Sequence, residues 1–125
     1  NHEQMACDLL PDMLRRKGWD VHKAKLLEFE DTPHVLVAAH AGGRLFTLTA
    51  EVRGLVWQRA PLQPVAARAR HPAFAKAVRQ EGFPEPIVPA VFGLLLYAGA
   101  EQLARQAGVG LFSPDGEVVS PPLEG

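Results

Sequence analysis

From Arg44 to Arg53 the chain alternates without a break, and no other segment restricts its fold so tightly. Phe46, Leu48, Ala50 and Val52 fall on one side, Thr47, Thr49, Glu51 and Arg53 on the other. A period of two marks a β-strand with one face in a core and the other wet. Ala41-Gly42-Gly43, just before it, reads as a hairpin turn, which makes Val35–Ala39 its antiparallel partner.

The flanking segments extend this hairpin into a layered domain. Met5, Leu9, Leu10, Met13 and Leu14 recur at helical spacing, predicting an amphipathic helix over Glu3–Lys17 that stops at Gly18. Arg15, Arg16 and Lys17 in its last turn suit the helix dipole. A strand over Lys23–Glu30 follows, with Asp31-Thr32-Pro33 as its exit turn. Beyond the hairpin, the pattern predicts a helix over Val65–Gln80 that His71-Pro72 breaks or kinks. Gly82 and prolines 84, 86 and 89 then read as a rigid loop. Val91–Tyr97 is a continuous apolar run, the mark of a buried central strand. A short helix over Ala100–Ala107, a strand over Val109–Phe112, a turn at Asp115-Gly116 and a strand over Glu117–Val119 complete the order. The residues from Ser120 to Gly125 read as an irregular tail. The expected fold is α/β: a mixed central sheet, built from a three-strand meander plus a βαβ unit, flanked by helices.

At 125 residues, 47% hydrophobic and 22% charged, the chain is sized for a single folded domain over residues 1–125. The net charge of −1 argues against a uniformly basic coat but leaves room for a local basic stripe. A lone cysteine, Cys7, excludes an internal disulfide and any multi-cysteine zinc site. With no signal peptide and no apolar run of membrane-spanning length, the expected setting is cytoplasmic and away from membranes. The start at Asn1 reads as a processed or tagged chain, or a fragment of a longer protein.

Glu51 and Arg53 lie two residues apart on the same side of their strand. In a metal-assisted phosphodiester site, a carboxylate holds the divalent ion while a nearby cation neutralises the phosphate. The plainer reading is that both residues line the wet face of a half-buried strand. The element order and the segment Glu51-Val52-Arg53-Gly54 resemble the restriction-endonuclease-like (PD-(D/E)xK) nuclease superfamily, most closely its Mrr-type and Holliday-junction-resolvase-type branches. Leu14-Arg15-Arg16-Lys17-Gly18-Trp19-Asp20-Val21 is similar to the family's first helix-to-strand junction. The closing strand–helix–strand, from Val91 to Phe112, is similar to the family's last unit.

The resemblance implies Mg²⁺ held by Glu51 and by an aspartate near Pro33-His34, with a lysine where Arg53 stands. His34 occupies the aspartate's place, and a neutral imidazole is a poor Mg²⁺ ligand. Asp31 is the nearest substitute, followed by Glu28 and Glu30. Arg53 keeps the positive charge but cannot give up a proton to activate water. The two departures imply weak or lost cleavage, with Arg53 and Glu51 free to pair with each other.

Between Val52 and Gln80 there is no acidic residue, while Arg53, Arg59, Arg68, Arg70, Lys76 and Arg79 all fall there. Such a stripe suits the backbone of DNA. It equally suits a solvated helix face in a chain of arginine-favouring composition. Trp57, just after a strand, reads as a core residue or as a base-stacking platform. Other chemistries fare worse. Ser113 and Ser120 lie in turns or tail, which disfavours a serine triad. Cys7 sits near the apolar face of its helix, as a structural thiol would. His34 and His40 share a strand face without a third zinc ligand at motif spacing. The functional alternative is a protein-interaction or regulatory module, pairing with a partner or as a homodimer through a sheet edge or the apolar loop Phe83–Val91. In a third reading, an unrelated α/β fold, Glu51 and Arg53 form only an ion pair.

Overall fold

The computed structural model describes residues 1–123, so the last two residues of the expected tail, 124 and 125, lie outside the described region. Helix α1 (His2–Arg16) is followed by strands β1 (Asp20–Phe29), β2 (Thr32–Ala41) and β3 (Arg44–Val56). Helices α2 (Gln63–Ala69) and α3 (Pro72–Gln80) lead to β4 (Ile87–Leu96), α4 (Ala100–Ala107), β5 (Gly110–Ser113) and β6 (Gly116–Val119). The strands form one six-stranded sheet in the order β1-β2-β3-β4-β5-β6. The first three are an antiparallel meander; β3, β4 and β5 run parallel, and β6 turns back antiparallel. The expected mixed α/β architecture holds, with β3 internal and Glu51 directly beside Val91 of β4.

The local chemistry accounts for most boundaries. Asn1 caps α1 by accepting the backbone N–H of Gln4 at 2.8 Å. Gly42 and Gly43 take positive φ (57° and 75°), as a two-residue hairpin turn matched to strand twist requires. The β1–β2 turn differs from the expected Asp31-Thr32-Pro33. Glu30 and Asp31 make it, both with positive φ, while Thr32 and Pro33 already pair within β2. The expected long helix is two helices: Pro72 opens α3, and the His71 ring accepts the N–H of Ala73 at 3.1 Å as its N-cap. Pro89 lies within β4 rather than in the preceding loop.

The faces of β3 depart most from expectation. Phe46, Leu48, Ala50 and Val52 pack with Ala6, Leu10 and Leu14 of α1, as the alternation predicts. The opposite face is not wet. Thr47, Thr49 and Glu51 are also buried, because the helices after β3 cover that side. Leu36, Ala38, Phe74, Val78 and Phe83 form a core under α3, and Leu62, Val65, Ala66, Val91, Ala100 and Ala104 form another beneath α2 and α4. A central strand covered on both sides must satisfy its polar side chains internally. Thr47 does so by donating its hydroxyl to the Pro84 carbonyl at 2.5 Å. Of the segment expected as an apolar docking loop, Phe83, Val88, Ala90 and Val91 are buried and Ile87–Val91 belongs to β4, while Glu85 and Pro86 are exposed. Val91, Phe92 and Gly93 are buried as the apolar run predicts, but Leu95 and Tyr97 at its end are exposed.

After β6 the chain returns across β5, close enough that a Cβ on Gly110 would lie 2.8 Å from Pro121 Cβ and 3.0 Å from its Cα. Gly110→Ala therefore has to displace the tail. The expected cost is about 1–3 kcal/mol in urea unfolding, with faster proteolysis after Val119; a variant as stable and as resistant as the parent would show that the contact is slack.

Candidate functional site

The middle of β3 places a carboxylate inside the protein. Glu51 pairs in register with His34 on β2 and Val91 on β4, and its side chain is only 5% exposed. An ionised carboxylate so placed needs compensation by charge and hydrogen bonds. Arg53, two residues along the same face, donates Nε–H to Glu51 Oε2 at 2.5 Å. It also reaches the carbonyl of Ala60 through Nη1 at 3.2 Å, tying the chain beyond β3 to the cluster. The second oxygen, Oε1, is taken by Nη1 of Arg68. Arg68 projects from α2 one turn after buried Val65, so the turn that anchors the helix also aims the guanidinium at the strand.

His34 forms the fourth side. Its ring is buried against Phe74, with centroids 5.0 Å apart. Nδ1–H donates to the carbonyl of Thr32 at 3.0 Å, since a carbonyl can only accept, and Nε2 lies 4.0 Å from Glu51 Oε1. Burial pushes the His34 pKa down from 6.5 to about 4; the Arg68 charge adds to that effect, while Glu51 and the Thr32 carbonyl oppose it. His34 is thus neutral at pH 7 and takes no part in the charge balance. The cluster holds one negative and two positive charges, and among the described residues no buried side-chain nitrogen or oxygen lacks a hydrogen-bond partner.

The donor set does not fit a divalent ion. Both Glu51 oxygens face guanidinium groups, whose charge repels a dication at the same place. No group of three or more His, Cys, Asp or Glu side chains able to hold a metal occurs among the described residues. Asp31 sits exposed in the β1–β2 turn and makes no hydrogen bond or ion pair with the cluster. Of the acidic substitutes, Glu30 comes nearer in kind: it lines a groove of about 280 Å³ beside Arg68, with Phe29 and His71. Glu28 pairs with Pro33 further back on β1. His40 is exposed on the far part of β2, its ring 6.5 Å from that of His22, and does not meet His34. Glu51 and Arg53 are brought together as the sequence implies; Asp31 is not.

The basic stripe divides. Arg68 turns inward to Glu51, and Arg79 pairs with Glu85 at 2.6 Å. Arg59, Arg70 and Lys76 form no ion pair among the described residues, and Arg59 lies 5.9 Å from the centroid of the Trp57 ring. At the end of α1, Arg15 pairs with Asp12 and Lys17 with Glu117, so that basic triplet is largely spent within the fold. Cys7 is half-buried beside the α1 core, and burial raises its thiol pKa. Sequence reasoning missed Arg68 as an internal partner: its spacing from Val65 puts it near the buried side of α2, but no local signal shows that this side meets Glu51. No protein-family model matches the chain, and it has no match among curated proteins or solved structures.

Arg68→Met leaves one oxygen of a buried carboxylate without its donor. Denaturant unfolding should show a loss of about 2–4 kcal/mol, and adding Glu51→Gln should cost much less than the sum of the separate changes. Additive losses would mean that the two groups do not interact.

His34 generates a pH prediction. The unfolded chain takes up a proton on this residue near pH 6.5, whereas the folded protein does so only at about 4. Stability should therefore fall as pH drops through that window and level off below it, by roughly 3 kcal/mol from this group. His34→Leu should flatten the slope there; an unchanged slope would place its origin elsewhere.

Proposed function

We propose that the chain is a restriction-endonuclease-like scaffold that contacts nucleic acid and does not carry out metal-dependent cleavage. The observation that carries this reading is the occupation of both Glu51 oxygens by Arg53 and Arg68. A carboxylate held in this way acts as the hub of a structural ion cluster. The order of the sheet, a meander followed by parallel strands with Glu51 at its centre, supports the scaffold half of the proposal. Its nucleic-acid half is supported by Arg59, Arg70 and Lys76, cations that no carboxylate neutralises among the described residues. Each cation that meets a phosphate releases counterions, so affinity is expected to fall steeply with salt and to depend little on sequence.

The residues of this chain would act by position and charge. Arg70, at the C-cap of α2, and Lys76, on α3, meet the backbone, while Arg68 stays with Glu51 and holds α2 against the sheet. Mg²⁺ would supply Lewis-acid chemistry in a cleaving relative of such a scaffold, but the donor set around Glu51 does not suit it.

The test pairs a binding titration with a cleavage assay on single-stranded, duplex and branched DNA, with Mg²⁺ and Mn²⁺. The native protein should bind at low salt and cleave nothing. Arg70→Ala with Lys76→Ala should weaken binding to every sequence alike and flatten the salt slope by up to about two phosphates. Cleavage that Glu51→Ala abolishes would overturn the non-catalytic reading. Absence of binding at low salt would overturn the nucleic-acid reading.

A further inference from the structure

The carboxyl ends of β3 and β4 carry a surface that the Glu51 cluster does not use. Leu55 (42%), Trp57 (41%), Leu95 (58%) and Tyr97 (54%) all stand exposed there. Leu55 and Leu95 are register partners, and the N–H of Tyr97 donates to the carbonyl of Val56 at 3.0 Å. The two strand ends therefore stay bound to each other as far as the aromatic residues, which holds the patch on a rigid base. Leu55, Trp57 and Tyr97 join Gln58, Arg59 and Ala98 around an open groove of about 500 Å³. Gln58 also lines a second depression with Gln102 and Gln106 of α4.

The chemistry of this surface is selective. Its one cation, Arg59, lies over the face of Trp57 and has no carboxylate partner among the described residues. No aspartate or glutamate lines either depression. Glu101, the nearest in sequence, is held by Arg105 at 2.7 Å. Two exposed aromatic faces, a free guanidinium and three amides together suit a ligand with flat π-systems, hydrogen-bonding edges and negative charge. Single-stranded nucleic acid has all three, whereas a duplex hides its base faces. The carboxyl ends of parallel strands are also where open α/β sheets leave room for ligands.

We propose that this groove is a stacking site for single-stranded nucleic acid, with Trp57 and Tyr97 taking successive base faces and Arg59 the intervening phosphate. The proposal rests on the nucleic-acid reading above and adds to it the kind of strand recognised and the place where it binds. It also gives the exposed Trp57 a role that core packing does not.

The experiment uses the full chain and short oligothymidylate, read by tryptophan fluorescence and by anisotropy of labelled oligonucleotide. Trp19 is 7% exposed, so quenching on binding should come from Trp57. Trp57→Ala and Tyr97→Ala should each weaken oligothymidylate binding by roughly five- to a hundredfold while leaving duplex binding nearly unchanged. Arg59→Gln should weaken it less and reduce the salt slope by about one phosphate. All three side chains are solvent-facing, and circular dichroism checks that the variants fold. Equal oligothymidylate binding by the parent and both aromatic variants would overturn the stacking site and leave nucleic-acid contact elsewhere standing. Failure of the parent to bind either single strand or duplex at low salt would overturn both. A parent dimer that Trp57→Ala converts to monomer, without quenching by oligothymidylate, would assign the patch to self-association and overturn the proposal.

Discussion

The carboxylate of Glu51 lies in the middle of the sheet and is almost wholly buried, and what surrounds it follows from that. An unpaired charge there would cost several kilocalories per mole, so two guanidinium groups must reach it, one from its own strand and one from α2. The demand fixes α2 against β3 and orients the chain that leaves β3 through the Arg53 contact with Ala60. His34 beside the carboxylate stays neutral chiefly because it is buried, with the Arg68 charge adding to that effect and Glu51 opposing it. Replacing such a cluster with apolar residues is often neutral or stabilising, so its presence is weak evidence for extra stability. What it does supply is a direct link between α2 and β3, made by Arg68 through the carboxylate.

Much of the architecture was legible in the sequence because it is written in local periods. The alternation from Arg44 and the Gly42-Gly43 turn gave the β2–β3 hairpin, and the apolar run from Val91 located the central parallel strand. The Ala100–Ala107 helix agrees with the structure at both ends, since Gly99 and Gly108 bracket it with positive φ. The largest error has a plain cause. Periodicity describes how a strand alternates but says nothing of what will cover each side. Thr47, Thr49 and Glu51 look like a wet face until α2 and α3 are folded over them. The start of β1 was placed late because Asp20, Val21 and His22 carry a mixed pattern, interrupted by a bulge between Val21 and Lys23.

The candidate site was legible in its pair and not in its surroundings. Glu51 and Arg53 had to share a face, and their contact follows from the strand geometry alone. Arg68 is 17 residues away along the chain, and its arrival depends on the path of the crossover, which no local pattern encodes. Asp31 failed for the opposite reason: closeness in sequence suggested proximity, yet the turn points it into solvent. Trp57 was left between core and stacking platform, and its exposed neighbours Leu55, Leu95 and Tyr97 were not singled out, because apolar residues at a strand's end look the same whether the next helix covers them or not.

The order of strands also bears on how the chain reaches its fold. β1, β2 and β3 are joined by two-residue turns, so the meander closes through short loops at little entropic cost. β4 can join only after residues 57–86 have looped back across the sheet, and pairings of that range form late. Until then the 13-residue β3, an interior strand in the finished molecule, is a bare edge with its hydrogen-bonding groups unmatched. During synthesis or refolding that edge is a template for another chain. The crossover that seats Arg68 on Glu51 thus also closes the interval in which the molecule is most exposed to pairing with its own kind.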